Sequence, residues 1–207
     1  MNDDSEPRGL GRRFWILLTS SGLSNLADGV FKVALPLVAI TFTRSPLLVA
    51  GLELVRTAPW LVGALPIGAL ADRLDRRRVM LSANTARGLF VVVAAALISM
   101  DAGSLVVLYV AAVGTGIAEV FYDTAAQSIL PSVVARSRLD RANGRLFAVE
   151  LGAQEFAGPP LAGILAALGL AVAFATSGAL WVMALVALIA VRGRYRPDRD
   201  GPSTTIR

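Results

Sequence analysis

The residues best suited to chemistry in this sequence are ionisable side chains inside long apolar runs. They are Asp28, Lys32, Glu53, Arg56, Arg87, Glu119, Asp123, Glu150 and Glu155. A charge at the centre of a lipid bilayer costs at least ~2.5 kcal/mol, so each should face other protein groups and find a partner. Because the chain contains no histidine, any proton chemistry near neutral pH must use the carboxylates.

The spacing of these residues predicts two ion pairs within single helices. Asp28 and Lys32 are four residues apart, and Glu53 and Arg56 are three apart, so each pair can share one helix face. Asp28 is the deepest carboxylate in its run. We therefore expect it to be the first candidate for binding a transferred proton.

A second acidic position has no such neighbour. Glu119 and Asp123 are four residues apart and repel each other on one face, so a proton or an arginine such as Arg87 must relieve them. Glu119 is the second candidate for proton binding. Asp123, Glu150 and Glu155 are predicted to lie nearer helix ends, at the membrane surface.

Composition excludes several classes of site. Without cysteine or histidine, the chain has no disulfide, no thiol nucleophile and none of the commonest transition-metal ligands. It has no motif of an ATPase, a serine hydrolase or a zinc protease, so we predict no enzyme, no metal and no cofactor. A membrane enzyme that uses paired carboxylates stays an alternative, but it lacks a signature of its own.

The elements that must position these side chains are membrane helices. Hydrophobic residues make up 55% of the 207, and six apolar runs reach the ~20 residues that a spanning helix needs. The runs cover residues 14–40, 47–70, 79–100, 105–129, 146–168 and 170–191. The predicted fold is an all-α membrane protein with a six-helix bundle over residues 14–191, a cytoplasmic tail over 1–13 and a disordered cytoplasmic tail over 192–207.

Arginine distribution predicts the orientation of the bundle. Sixteen arginines fall in the two tails and in the second and fourth connections, whereas the other connections contain only Arg44. Cytoplasmic segments collect Lys and Arg, so both termini should lie in the cytoplasm of a bacterial cell. The net charge of +5 then faces an anionic membrane surface, and a nucleic-acid partner is not expected.

The connection between the second and third runs carries a recognisable pattern. Gly68, Asp72, Arg73, Arg76 and Arg77 match the signature Gly-x-x-x-Asp-Arg-x-Gly-Arg-Arg, with Asp75 at its second glycine. The pattern and its place between two helices resemble the major facilitator superfamily. This resemblance implies a conformational latch formed by these five residues.

Two further segments are similar to exporters of that family. Gly158-Pro159-Pro160-Leu161-Ala162-Gly163 resembles the antiporter signature Gly-Pro-x-x-Gly-Gly, with Gly158, Pro159 and Gly163 as a helix-kink motif. Leu130-Pro131 followed by Ala142-Asn143 is similar to the branch that includes enterobactin and macrolide efflux proteins.

The resemblance covers nearly the whole chain but only the N-terminal half of a normal family member, which has about twelve helices. It implies a bundle built from a 3+3 inverted repeat. A faint repeat agrees with it, since Ala27-Asp28 and Ala118-Glu119 occupy similar contexts in the first and fourth runs.

The function predicted from this resemblance is secondary active transport. We expect proton-coupled efflux of small apolar molecules, of the drug or siderophore type, with Asp28, Lys32, Glu53, Arg56 and Glu119 lining the substrate cavity. The expected partners are the substrate, a proton, the lipid bilayer and either a second six-helix half or a second copy. The alternative is a truncated or non-transporting scaffold half that binds partner helices.

Overall fold

A computed structural model describes residues 10–71 and 74–190, without the side chains of residues 63–69 and 71. The described residues are helical and contain no strand, as the sequence predicts. The α-helices are α1 (Gly11–Ala39), α2 (Pro46–Ala71), α3 (Arg76–Ser99), α4 (Leu105–Val133), α5 (Leu139–Leu151), α6 (Gly158–Leu168) and α7 (Leu170–Ile189). A 3₁₀ turn (Arg136–Arg138) precedes α5, and a π-helical segment (Gly152–Ala157) joins α5 to α6.

Four of the described helices are long and apolar enough to cross a membrane, namely α1, α3, α4 and α7. The second predicted run coincides with α2 and the fifth with the second part of α5, the π segment and α6. The count of six spans stays a prediction. Residues 1–9 of the predicted N-terminal tail and residues 191–207, which include the whole predicted C-terminal tail, lie outside the described residues, while α1 begins at Gly11 within the predicted N-terminal tail.

The fifth run differs from its predicted form in where the helix is irregular. Backbone angles stay helical through Leu151, Gly152 and Gly158. The α5 helix, the π segment and α6 therefore form one helix with an irregular middle, here called the broken helix. Pro159 and Pro160 lie in the first turn of α6 and lack the N–H groups that would bond to the preceding turn. The disturbance is therefore a π bulge before the prolines.

A tight turn at Gly169 separates α6 from α7, at the one-residue gap between the fifth and sixth predicted runs. The Gly169 φ of 148° lies in a region that only glycine adopts readily, because it has no Cβ. The turn reverses the chain, and α7 packs along α6 and α1.

Each long helix of the bundle packs against particular neighbours. α1 packs against α7 and against the broken helix from α5 to α6, while α4 packs against α2 and α3. α3 also contacts α7, which closes the bundle.

Two apolar clusters form the core, one near each end of the bundle. The first includes Phe14, Met80 and Ile129, and the second includes Phe31, Leu108 and Phe174. Between them along α1, α3 and α4 lies a set of buried polar side chains, here called the polar layer: Ser24, Asp28, Asn84, Arg87, Thr115 and Glu119. Burying them is unfavourable unless they bond to one another, so their partners identify the candidate site.

Candidate functional site

The most deeply buried ion pair joins α1 to α3. Arg87 Nη1 donates to Asp28 Oδ2 at 3.0 Å and to Ser24 Oγ at 2.8 Å. The exposed fractions of the two charged side chains are 0% and 3%. Ser24 Oγ in turn donates to Asn84 Oδ1 at 3.0 Å. The predicted pair of Asp28 with Lys32 is wrong, because Asp28 lies against α3.

Aromatic rings cover the same guanidinium. The Arg87 Cζ atom lies 5.2 Å from the Tyr122 ring centroid and 5.9 Å from that of Trp181, distances at which a cation is attracted to a ring face. Arg87 Nε and Nη2 are buried and have no hydrogen-bond partner among the described residues. The rings thus replace part of the hydration that Arg87 loses, and the rest of its compensation comes from Asp28.

A second charge cluster joins α2 to α4 and the π segment. Arg56 forms a bidentate pair with Glu53 at 2.9 and 2.8 Å and donates to Glu119 Oε2 at 2.7 Å. Gln154 Nε2 donates to the other oxygen, Glu119 Oε1, at 3.1 Å. The Glu53–Arg56 prediction is confirmed. Arg56, and not Arg87, is the arginine that Glu119 contacts.

This cluster has more acid than base. One arginine serves two carboxylates, Glu119 with 7% of its side chain exposed and Glu53 with 44%. If all three groups are ionised, the cluster carries one net negative charge. It can therefore accept a proton or a cationic group without losing every ion pair.

The third pair lies between α1 and the π segment. Lys32 Nζ contacts both carboxylate oxygens of Glu155 at 3.0 Å, and about a third of each side chain or more is exposed. Glu155 was predicted to lie near a helix end. Instead it lies midway along the broken helix, where it points toward α1.

The π segment explains how neighbouring residues reach different helices. Gln154 contacts α4 through Glu119, and Glu155 contacts α1 through Lys32. A π bulge adds a residue to one turn and changes the directions of the side chains around it. The close packing of Gly29 on α1 against Gly158 brings this segment within reach of both partners.

Two predicted surface carboxylates have buried oxygen atoms. Asp123 Oδ1 and Glu150 Oε1 have no hydrogen-bond partner within the part of the chain that the structure describes. Asp123 follows Tyr122 on α4, and Glu150 precedes the π segment. Both are among the nine ionisable residues of the apolar runs, but neither was expected to line the substrate cavity.

The predicted latch is only partly visible. Asp72 and Arg73 lie outside the described residues, and Gly68 lies on α2 in the stretch without described surroundings. Arg77 Nη2 donates to the Ile189 carbonyl at 3.1 Å, tying the start of α3 to the end of α7.

Asp75 replaces the glycine of the signature and has a different role. It caps α3 by accepting a hydrogen bond from the Arg78 backbone N–H at 3.1 Å.

The two glycines of the helix-kink motif have different surroundings: Gly158 packs against another helix, whereas Gly163 has open space around it. A Cβ at Gly158 would lie 2.6 Å from Gly29 Cα, whereas nothing lies within 4 Å of the Cβ position at Gly163. Pro159 is in the first turn of α6.

Open depressions lie beside the charged residues on α1 and α2. One of about 340 Å³ is lined by Lys32, Val33, Pro36 and Glu53 among others. A neighbouring one of about 680 Å³ shares Pro36 and Glu53 and extends to Arg44. The walls are mainly apolar, with Lys32, Arg44 and Glu53 as their charged members, which suits an amphipathic small molecule.

Sequence reasoning missed the polar side chains that orient the charges. Ser24, Asn84 and Gln154 carry no charge, and Tyr122 and Trp181 resemble ordinary apolar residues in a lipid-facing run. A period of three to four residues links Ser24 with Asp28 and Asn84 with Arg87, which was the available signal. No group of three or more His, Cys, Asp or Glu side chains able to hold a metal occurs among the described residues.

Comparison with known proteins agrees with the helical membrane fold. A family model described as Major Facilitator Superfamily matches residues 17–207. The chain is 30% identical over 198 residues to the multidrug efflux pump Tap of Mycolicibacterium fortuitum, covering 89% of this chain and 47% of Tap. It is 32% identical over 130 residues to an uncharacterized MFS-type transporter of Mycobacterium tuberculosis, covering 61% of this chain and 29% of that protein. The chain therefore spans less than half the length of these curated relatives.

Proposed function

The chain belongs to the Major Facilitator Superfamily, and we propose that it forms the N-terminal half of a proton-coupled exporter of small apolar molecules. As a member of that family it is a multi-pass bacterial membrane protein whose general role is transport. Members are generally not enzymes, and we propose no catalysis and no cofactor. Export is favoured by the similarity to Tap, a multidrug efflux pump.

The observation that carries the proposal is the Asp28–Arg87 pair. It is almost fully buried between α1 and α3, at the level of the polar layer. A carboxylate there is stabilised mainly by one arginine, so a proton on Asp28 would cancel the attraction and free Arg87 to move. Such a coupling of proton binding to helix contacts is what a proton-driven transporter needs.

The Arg56 cluster supplies a second site for the same chemistry. Protonation of Glu119 would weaken its contact with Arg56, while Glu53 would still hold the arginine. The contacts of α4 with α2 and with the π segment would loosen without leaving an unpaired cation. Substrate would bind beside this cluster, in the depressions along α1 and α2.

Helix packing supports the 3+3 repeat. In this repeat α1 is equivalent to α4, α2 to the broken helix, and α3 to α7. The contact of α1 with α7 is then equivalent to that of α4 with α3, and the contact of α1 with the broken helix to that of α4 with α2. The Lys32–Glu155 and Glu119–Arg56 pairs then lie between equivalent helices, since each joins the first helix of one repeat to the second helix of the other. With this repeat the polar layer is expected near the bilayer midplane, where such transporters bind substrate.

Transport in everted membrane vesicles tests the proposal, with Nile red as the probe and an imposed pH gradient. The chain should move Nile red when assembled with a second half or a second copy, and Asp28→Asn should abolish the movement. Asp101→Asn is the matched control, because Asp101 is exposed on the α3–α4 connection and its positive φ suits asparagine. Wild-type rates in Asp28→Asn would reject the coupling role.

The alternative is a scaffold half that binds partner helices without transporting. In that case no assembly of the chain would move the probe along a pH gradient. Asp28→Asn would then alter only stability or partner binding.

A further inference from the structure

We propose that the seam between α3 and α4 binds one anionic phospholipid, with an acyl chain in an apolar groove and the phosphate at the arginines that begin α3. The groove, here called the basic-end groove, has a volume of about 330 Å³. From α3 it is lined by Val79, Ser82, Ala83, Ala86 and Phe90, and from α4 by residues that include Ile117 and Phe121.

The length of the groove matches one leaflet of a bilayer. From Val79 to Phe90 α3 advances ~16 Å at ~1.5 Å per residue, about half of the ~30 Å hydrocarbon thickness. At its inner end the Phe90 ring lies over Gly114, where an added Cβ would collide with the ring. A second depression of about 150 Å³ continues beyond Phe90, so the ring divides the seam. An acyl chain of one leaflet fits this closed length better than a partner helix, which would cross both leaflets.

The positive charge where the groove begins, at the start of α3, indicates an anionic headgroup. Arg76, Arg77 and Arg78 occupy the first turn of α3, and that turn contains no acidic residue. Cations are unfavourable there, because the N-terminus of a helix carries the positive end of its dipole. Asp75 offsets part of this as the N-cap, but in the described first turn and its cap three arginines outnumber that one carboxylate. An anionic phosphate would relieve the excess.

Arg78 is the arginine placed to reach such a phosphate. Arg78 is exposed and precedes Ser82, a groove residue, by one helical turn. Long helical side chains lean toward the N-terminus, so the Arg78 guanidinium should extend past the mouth of the groove. The Nε atoms of Arg76 and Arg77 are buried, and Arg77 Nη2 already donates to the Ile189 carbonyl of α7, so the exposed Arg78 is the arginine best placed to meet the phosphate. Basic pockets between membrane helices are known to suit anionic lipid headgroups.

Native mass spectrometry of the full chain, released from nanodiscs with equal amounts of phosphatidylglycerol and phosphatidylcholine, tests the site. The wild type should retain one phosphatidylglycerol in preference to phosphatidylcholine. Arg78→Gln should lower that preference about five-fold, the effect of one basic residue at a membrane surface. Arg141→Gln, at an exposed position on α5, is the matched control and should change nothing.

A second variant separates the acyl chain from the headgroup. Ala86→Phe fills the groove without changing charge and should reduce retention of both lipids, while soluble glycerol phosphate should not compete in the wild type. Equal retention of the two lipids by the wild type, or unchanged retention in Ala86→Phe, would overturn the proposal. A change of oligomeric state in Ala86→Phe, with lipid retention unaltered, would assign the groove to a protein contact instead.

Discussion

Gly29 on α1 and Gly158 at the start of α6 pack backbone against backbone. A Cβ placed on Gly158 would lie 2.6 Å from Gly29 Cα and 2.7 Å from its carbonyl carbon. Contacts this close require glycine on both sides, as in other small-residue contacts between membrane helices. The approach positions the π segment so that Gln154 reaches Glu119 and Glu155 reaches Lys32.

Gly158→Ala should therefore destabilise the bundle. The added methyl group has backbone on its far side and no flexible side chain to displace, so we expect a loss of about 1–3 kcal/mol, typical of overpacking. Gly163→Ala is the matched control. It lies on the same helix with open space around it and should be neutral or slightly stabilising, by up to ~1 kcal/mol from helix propensity. Thermal unfolding in detergent compares the two, and equal melting temperatures would contradict the close packing.

Removing one partner of the Asp28–Arg87 pair should be more harmful than removing both charges. Arg87→Met leaves a buried carboxylate without its main partner, and breaking a buried pair costs about 3–5 kcal/mol. The double variant Arg87→Met with Asp28→Asn should recover part of this loss. A double-mutant cycle on unfolding measures the coupling, and additive effects would show that the two groups do not depend on each other.

Substitutions in the Arg56 cluster should differ according to which charge is removed. Glu53→Gln removes the more exposed carboxylate and leaves Arg56 paired with Glu119, so stability should change by less than ~1 kcal/mol. Arg56→Gln leaves two carboxylates close together and should cost several times more, with part of the loss recovered at low pH, where protonation of the carboxylates removes their repulsion. Unfolding of both variants at two pH values tests this, and equal losses would contradict the shared arginine.

The arginine asymmetry predicts that both termini lie in the cytoplasm. A C-terminal fusion to alkaline phosphatase, which is active only in the periplasm, should be silent, and a fusion after Arg44 should be active. A fusion to a cytoplasm-active fluorescent protein at the C-terminus serves as the control. Strong phosphatase activity at the C-terminus would reverse the topology.

A single bundle should not transport alone. Lys32, Glu53 and Glu155 are partly exposed, and exposing such charges to lipid at midplane depth costs several kcal/mol. We therefore expect either pairing of two copies or association with a second half. Single-molecule subunit counting in bilayers measures this, and a monomer that still moves Nile red would contradict the assembly.

Asp72 and Arg73 of the predicted latch lie outside the described residues. The role of the latch stays a proposal, resting on the match at Gly68, Asp72, Arg73, Arg76 and Arg77. The visible part of that region ties α3 to α7 through Arg77 and the Ile189 carbonyl. Arg76 and Arg77 also lie in the first turn of α3, where the basic-end groove begins.

The sequence alone determined the helical class, the family resemblance and the positions of the charges. Polar groups are unfavourable in lipid, so long apolar runs identify the helices. Charged residues inside such runs are rare and are therefore easy to recognise as functional candidates. The Glu53–Arg56 pair was also predictable, since its geometry depends only on the repeat of one helix.

Only the tertiary structure decided which charges meet between helices. Asp28 pairs with Arg87 and not with Lys32, because a local i, i+4 spacing competes with partners that neighbouring helices place closer. Glu155 reaches Lys32 because a π bulge and the Gly29–Gly158 contact set the direction and distance of its helix. Neither the neighbours of a helix nor its rotation can be read from one run of residues, since both depend on packing that involves the whole bundle.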